Sequence, residues 1–187
     1  MLSLDRLKYI EGIQKYTRFS VVTTIAIAIV VLVIIVVSHT VIKEKELSDI
    51  LYSPFLMITV VALLLYCFIL YRIKQRTQRL QELIEQMSEE EFQFLLQAQS
   101  SLSFYYKYAP TFVICCDRLY LFTLFEIKEI DPKKVQKVAY HYARGGSFLV
   151  EIQSPETTKF EVYNSVYPYF TSLIEMYNPN AYIEKYE

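Results

Sequence analysis

Two stretches of the chain, 19–42 and 50–71, contain no formally charged residue and consist mainly of apolar side chains. Neither has the continuous polar face of a helix that lies on the surface of a globular domain. About 20 apolar residues in a helix are enough to span a hydrocarbon core of roughly 30 Å. The pattern therefore predicts a transmembrane hairpin, with helices over 20–42 and 50–72 and a short external loop over 43–49.

Basic residues are placed asymmetrically around this predicted hairpin. Four precede the first helix and four follow the second, whereas the loop has two lysines beside three acidic residues. Because Lys and Arg near membrane ends stay on the cytoplasmic side, both termini are predicted to be cytoplasmic, in a multi-pass protein of the inner (plasma) membrane. The basic residues after the second helix are predicted to contact anionic lipid headgroups. They are Arg72, Lys74, Arg76 and Arg79.

The segments on either side of the predicted hairpin have helical periodicity. Apolar residues three positions apart predict a cytoplasmic amphipathic helix over 1–19. In the segment 73–103, a heptad-like stripe predicts a helical stalk or linker, which either self-associates or packs onto the domain that follows. The stripe consists of Ile73, Leu80, Ile84 and Met87. Ser88 and Glu91 then form the pattern of a capping box, which predicts the start of a further helix.

The periodicity changes at residue 104, where short runs of aromatic and β-branched residues alternate with turn signals. The runs are 111–116, 119–125, 135–142, 148–152 and 159–163. The pair Gly145–Gly146 suits a hairpin turn with positive φ, and helical spacing returns after residue 165. We therefore predict a cytoplasmic α+β domain over 104–187, an antiparallel β-sheet or small barrel closed by a C-terminal helix.

This order of elements resembles the bacterial pleckstrin-homology-like domains of small membrane proteins, over about 104–177. The stretch TFVICCDRLYL at 111–121 is similar to the hairpin that opens such domains, and EIDPKKVQKV at 129–138 is similar to a later strand of the family. The helix predicted over 166–177 matches the one that plugs the barrel of the family. A two-span hairpin followed by such a domain is also the layout of the YcxB-like group.

Few residues are suited to catalysis or metal binding. The two histidines, His39 and His141, have no Cys or carboxylate at the spacing of metal ligands, and no nucleotide or cofactor motif occurs. Cys115 and Cys116 are neighbours on a predicted strand, where successive side chains point to opposite faces, so we do not expect them to bridge. We predict no metal, no cofactor and no enzymatic activity.

Charge argues against nucleic acid as a partner. The segment 101–187 has nine basic and ten acidic residues, and so lacks the positive field that phosphate binding requires. Neither predicted membrane helix contains an Asp, Glu, Lys or Arg away from its ends, whereas transport usually needs an ionisable residue that faces the bundle interior.

The sequence favours a non-enzymatic, membrane-anchored binding module that presents its β-rich domain to a protein partner at the cytoplasmic membrane face. One version is an immunity-type protein that neutralises a toxin. The predicted partner surface lies on one strand and the turn after it, and consists of Lys137, Tyr140, Tyr142 and Arg144. The alternative is a homo-oligomeric two-span membrane effector, whose soluble domain senses a ligand and whose helices perturb the bilayer.

Overall fold

The computed structural model describes residues 3–43, 54–123, 126–143 and 145–184. The described helices before the first strand are α1 (Leu4–Lys43), α2 (Pro54–Gln86), α3 (Glu89–Ser100) and the single turn α4 (Phe104–Lys107). The chain divides into two compact units. One consists of Met1–Ile13 with Arg79–Glu187, and the other of Gln14–Gln78. The N-terminal end of α1 and the C-terminal end of α2 therefore belong to the same unit as the β-strands.

The structure contradicts the predicted transmembrane hairpin with helices over 20–42 and 50–72. Among the residues that it describes, no helix combines the length and the apolar character needed to cross a membrane. The apolar runs with described side chains, 19–30 and 61–71, are each about half as long as the roughly 20 residues that a span requires. The rest of the two uncharged stretches, apart from Val33, lies outside the described side chains, at 31–32, 34–42 and 50–60. A run of apolar residues without charge indicates that its side chains avoid water. It does not indicate whether lipid or protein covers them.

The predicted cellular location was derived from the transmembrane hairpin, so it is corrected together with the hairpin. Assignment to the inner (plasma) membrane as a multi-pass protein with both termini cytoplasmic depended on the two predicted spans. Of the predicted external loop, only Lys43 is described, as the last residue of α1, and 50–53 also lie outside the described residues. Because α1 begins at Leu4 and α2 ends at Gln86, both helices continue well into sequence that carries charges.

The unit 14–78 consists of the described parts of α1 and α2. The hydroxyls of Thr17 and Thr77 are hydrogen-bonded at 3.0 Å, which joins one helix to the other. Several apolar side chains of this unit are exposed, among them Val22, Ile27 and Leu64.

The first β-sheet is a three-stranded antiparallel meander. Its strands are β1 (Phe112–Cys115), β2 (Arg118–Phe122) and β3 (Ile127–Ile130), in the order β1-β2-β3. A 3-10 turn over Pro132–Lys134 follows, and its start is capped by the carboxylate of Asp131, which accepts a hydrogen bond from the amide of Lys133 at 3.1 Å.

The second sheet has four strands in the order β6-β5-β4-β7. They are β4 (Lys137–Tyr142), β5 (Ser147–Ser154), β6 (Glu156–Tyr163) and β7 (Tyr182–Ile183). β7 pairs parallel with β4 at Lys137 and Val138, and the other pairings are antiparallel. Gly145 and Gly146 both have positive φ in the β4–β5 turn, which confirms the turn predicted there. Within the described residues, β3 and β4 are not paired, so the strands form two sheets rather than one sheet or a closed barrel.

A hydrophobic core lies between the two sheets and helix α5 (Tyr167–Tyr177). β6 alternates between exposed and buried residues from Thr157 to Val162, as a half-buried strand does. α5 contributes Phe170 and Leu173, which are fully buried, and the Phe170 ring lies 5.1 Å from the ring of Phe112 on β1. The helix therefore joins the two sheets through their inner faces.

A second core covers the other face of the three-stranded sheet. Its buried side chains come from α1, α2, α3 and β1, and include Tyr9, Ile13, Leu83, Ile84, Phe92 and Val113. Leu80, Ile84 and Met87 of the predicted heptad stripe are all buried here. Of the two explanations for that stripe, packing onto the β-containing unit is the one that the structure shows.

The face that α1 buries matches only part of the apolar stripe that predicted an amphipathic helix, because its member Ile13 is buried and two others are exposed. Leu4 and Leu7 are 66% and 50% exposed, whereas Arg6 and Tyr9 are buried. The Arg6 guanidinium donates a hydrogen bond of 2.7 Å to the carbonyl of Met87 and pairs with Glu89 at 3.1 Å. The same guanidinium lies 3.4 Å from the carbonyl of Ile84, which belongs to the last turn of α2, where backbone N–H partners within the helix run out.

The β1–β2 turn has an uncommon backbone. Cys116 and Asp117 both have positive φ, at 52° and 59°, although neither is glycine. Two other elements hold the turn: Glu91 accepts a hydrogen bond from the Asp117 amide at 3.4 Å, and Tyr177 donates one to the Asp117 carboxylate at 2.8 Å. Glu91 is also the second residue of the capping box with Ser88, which the structure confirms.

We expect Leu83→Ala to lower the free energy of unfolding by about 2–5 kcal/mol, because Leu83 is fully buried in the second core. Leu4→Ala is the matched control: the same substitution at a 66% exposed position of α1 should change it by about 0.5 kcal/mol or less. Urea unfolding of the two variants measures both values. Equal losses would contradict the packing of α2 against α1, α3 and β1.

Burial, with the hydrogen bond to Asp117 and the negative charges of Asp117 and Glu91, raises the pKa of Tyr177 to about 12. The phenol then ionises in the unfolded chain before it does in the folded one. Its stabilising contribution is complete below about pH 10 and is lost as pH rises from there to about 12. We expect Tyr177→Phe to make the fall in stability over this window shallower. Urea unfolding of both proteins along the pH series tests this, and identical slopes would contradict it.

Candidate functional site

The basic residues predicted to contact lipid headgroups lie on α2, in two different units. Arg72 donates a hydrogen bond of 2.8 Å to Gln75, and Lys74 is exposed. Arg76 is half-buried. Arg79 belongs to the β-containing unit, where it pairs with Glu82 at 2.9 Å. Its guanidinium also lies 5.7 Å from the ring centroid of Tyr120, so Arg79 is engaged within its own unit.

The residues of the predicted partner surface lie along β4, except for Arg144, which is outside the described residues. Lys137 is exposed, and its ammonium lies 5.8 Å from the ring centroid of Tyr182 on β7. Tyr140 is half-buried and Tyr142 is 72% exposed. The three described residues thus follow one strand from the β7 end to the hairpin.

Tyr142 is the exposed end of an aromatic cluster, which consists of Tyr140, Tyr142, Phe148 and Tyr167. The Tyr142 ring lies 5.9 Å from that of Tyr140 and 5.3 Å from that of Phe148. Tyr140 and Phe148 in turn each lie 5.2 Å from Tyr167. The Tyr167 hydroxyl donates to the carbonyl of Glu184 at 2.7 Å, and burial raises its pKa. The cluster connects an exposed ring to the core through ring contacts, which hold the exposed ring in place.

A cleft of about 440 Å³ separates an edge of one sheet from an edge of the other. We call it the edge cleft. Its lining comes from β3 and the turn after it, and from the β5–β6 hairpin. These residues are Lys128, Glu129, Ile130, Asp131 and Lys134, with Ser154, Pro155, Glu156 and Thr158. Ile130, Ser154 and Thr158 are buried, so they form the floor, and the exposed charged residues form the rim.

The backbone of β3 presents hydrogen-bonding groups towards this cleft. In antiparallel pairs, residues alternate between those that bond to the neighbouring strand and those that face away from it. The backbone amide of Thr123 donates a hydrogen bond to the carbonyl of Glu126, which fixes this position as a bonded pair. Every second pair along the two strands is then also bonded, so the next bonded pairs are Leu121 with Lys128 and Leu119 with Ile130. Glu129 lies between them and directs its N–H and C=O away from β2. Within the described ranges, no backbone hydrogen bond involves these two groups.

β6 is the corresponding edge of the four-stranded sheet. The amide of Asn164 bonds to the carbonyl of Gly146, and the same alternation then pairs Val162, Phe160 and Thr158 with β5. Thr157 and Lys159 therefore direct their backbone groups away from β5. Within the described residues β6 pairs with β5 alone, so it is an edge strand, and Glu156 and Thr158 at its start line the cleft.

Charges of both signs lie on the rim of the edge cleft. Arg118 lies 3.7 Å from Glu129 and 3.8 Å from Asp131, and Lys128 pairs with Glu126 at 3.3 Å. These distances are long for strong ion pairs, and the side chains are largely exposed, so each contributes little to stability. The rim can therefore exchange these contacts for contacts with a bound segment at small cost.

The chemistry available elsewhere is limited. Among the described residues, no group of three or more His, Cys, Asp or Glu side chains is arranged to hold a metal ion. His141 is exposed on β4.

No protein-family model, curated protein or solved structure matches the chain. The resemblance to pleckstrin-homology-like domains thus stays a prediction.

The sequence did not reveal the edge cleft. None of the three described residues of the predicted partner surface lines it, because β4 lies inside the four-stranded sheet while the cleft is beside β6. The available signals were Pro132 and Pro155, which stand just beyond β3 and between β5 and β6. Proline is typical of strand ends and sheet edges, where its missing N–H costs no ladder hydrogen bond.

We expect Tyr142→Ala to lower the free energy of unfolding by about 1 kcal/mol or less, since its ring is 72% exposed. Phe148→Ala, in the same cluster but fully buried, should cost about 3–5 kcal/mol. Thermal or urea unfolding measures the difference. A comparable loss in both variants would show that Tyr142 serves the fold and would remove it as a surface anchor.

Proposed function

We propose that the β-containing unit is a non-enzymatic protein-binding module, which takes up an extended segment of a partner protein in the edge cleft. The observation that carries this proposal is the pair of unpaired strand edges, β3 and β6, beside one cleft. Backbone groups of an edge strand are a template for another strand. Addition of a strand to an exposed edge is a common mode of peptide recognition, in which main-chain hydrogen bonds supply affinity.

The geometry fits an extended peptide better than a compact ligand. Small-molecule sites are mostly apolar and enclosed, whereas the rim here carries Lys128, Glu129, Lys134 and Glu156. A peptide bound along β3 would accept from the Glu129 N–H and donate to its C=O. Its alternate side chains would point either to the buried floor at Ile130 and Thr158 or to solvent.

Charge on the rim supports selectivity more than affinity. With acidic and basic residues side by side, a segment of strongly uniform charge would meet repulsion from half of the rim. We therefore expect the preferred segments to be short, β-prone and close to neutral. The aromatic cluster that ends in Tyr142 offers a second contact for a larger partner, since exposed and well-supported Tyr side chains are frequent interface anchors.

The decisive test compares two substitutions at one position in the full chain. Glu129→Pro removes the outward N–H, and its ring would obstruct a strand beside β3, while the β2 pairing keeps its bonded residues on either side. Glu129→Ala removes the same carboxylate and its contacts with Arg118, but keeps the N–H. Peptides are first selected from a random displayed library against the wild-type chain.

We expect the proline variant to bind the selected peptides about tenfold more weakly or worse, and the alanine variant to stay within about threefold of wild type. Amide hydrogen exchange gives an independent readout. Bound peptide should slow exchange at Glu129, and leave the amide of Lys128, already bonded to β2, nearly unchanged. A library that yields no binder, or binders equally insensitive to both substitutions, would contradict the proposal. Binding lost on Tyr142→Ala instead would place the contact on the aromatic cluster.

A further inference from the structure

The two adjacent cysteines at the β1–β2 turn lie closer together than a strand would allow. Cys115 is the last residue of β1, but Cys116 has a φ of 52° and leaves the extended conformation. Its side chain consequently does not point to the opposite face, and the two sulfurs lie 3.8 Å apart. Both cysteines are free thiols, as expected, although the reason given from the strand pattern does not hold.

The geometry points to a chelating site for a single thiophilic metalloid centre of the trivalent arsenic class, bound through the sulfurs of Cys115 and Cys116. A trivalent arsenic centre is pyramidal, so two sulfurs bound at about 2.3 Å, the length of a typical thiolate bond, with angles of about 95–100° are separated by roughly 3.4–3.5 Å. The observed separation is 3.8 Å. A disulfide would instead require the sulfurs to approach to about 2.05 Å. Binding of both sulfurs to one centre therefore requires a smaller movement of the turn than formation of a disulfide does.

Hydrogen bonds from residues of two neighbouring helices hold the β1–β2 turn in this geometry. Glu91 on α3 and Tyr177 on α5 hydrogen-bond to Asp117, the residue after the pair. On the inner side, the Cys115 sulfur lies 3.5 Å from the carbonyl oxygen of Leu83. Two ligands fixed in place lose little conformational freedom when they bind, so the second sulfur adds affinity as an intramolecular event.

Access and protonation assign different roles to the two thiols. Cys116 is exposed and Cys115 is buried, so an incoming reagent meets Cys116 first. Burial, followed by the hydrogen bond to Cys116, raises the pKa of the Cys115 thiol to about 12. Cys115 therefore enters the reaction as a protonated thiol and must lose its proton as the bond to the metalloid forms.

The reaction with an organic arsenical balances without any oxidant or reductant. Phenylarsine oxide, C6H5AsO, condenses with two thiols to give C6H5As(SR)2 and water. Both arsenic–oxygen bonds break, two arsenic–sulfur bonds form, and the two thiol protons leave on the oxygen. Arsenic stays trivalent. The preference of thiolates for soft centres supplies the driving force.

The test is a titration of the full, reduced chain with phenylarsine oxide, followed by mass spectrometry of the intact protein. We expect one adduct per chain, with the mass of one phenylarsenic group less two hydrogens. Cys116→Ser, at an exposed position that the fold tolerates, should weaken the adduct at least about a hundredfold, because one thiol alone lacks the chelate. Cys67→Ser is the matched control, and should bind as wild type does.

Wild-type protein that forms no adduct would overturn the inference. A stoichiometric adduct kept by Cys116→Ser would overturn it as well, and one lost in Cys67→Ser would place the site elsewhere. Cys115→Ser is a second variant that should also lose the adduct, with its fold checked by circular dichroism. The result is independent of peptide binding at the edge cleft, since none of the cleft residues contributes to the thiol pair.

Discussion

The fold of the β-containing unit depends on how the first turns of α1 close the end of α2. The α2 helix ends at Gln86, and its last carbonyls have no backbone donor within the helix. Arg6 supplies a donor to the Ile84 carbonyl at 3.4 Å and to the Met87 carbonyl, just beyond the helix, at 2.7 Å. The same guanidinium pairs with Glu89 at the start of α3. Arg6 is 8% exposed, so this contact is largely shielded from water. A buried guanidinium without both partners would be strongly destabilising.

That contact orders the second core around it. Tyr9, one turn further along α1, is buried beside Phe92 with their rings 5.9 Å apart, and its hydroxyl donates to the carbonyl of Lys107 at 2.8 Å. A helix presents residues three and four apart on one face. Once Arg6 is directed at the end of α2, Tyr9 and Ile13 must face α2 and α3. The N-terminal segment is thus part of the core that supports β1, although nearly 100 residues of sequence separate Ile13 from that strand.

Local features of the fold could be predicted from the sequence, because a few adjacent residues determine them. The capping box at Ser88 and Glu91 and the positive φ at Gly145 and Gly146 need only short-range chemistry. The buried face of α1 could not be predicted, since hydropathy favoured Leu4 over Arg6, and only the distant α2 carbonyls make arginine the buried residue. The transmembrane hairpin failed for a related reason. An uncharged, apolar run predicts that its side chains are shielded from water, but it does not identify the surface that shields them.

Neither candidate site could be read from residue patterns. The thiol pair depends on a backbone conformation that non-glycine residues seldom adopt, and tertiary hydrogen bonds to Asp117 hold it. The edge cleft depends on which strands stay unpaired, and this is decided by topology. A strand pattern shows that Ile130 is buried but not whether β3 has one neighbour or two.

Two prolines explain how the exposed strand edges beside the cleft avoid uncontrolled pairing between copies of the chain. Pro132 stands two residues after the end of β3 and begins a 3-10 turn, which stops the β3 edge from lengthening. Pro155 limits the start of β6 in the same way. Long, flat edges invite uncontrolled pairing between copies, and proteins blunt them with proline and charge. Here the blunted edges leave β3 only the four residues Ile127–Ile130. A short edge between proline stops admits a short extended segment and disfavours an unlimited ladder, which is the property that a selective peptide-binding site requires.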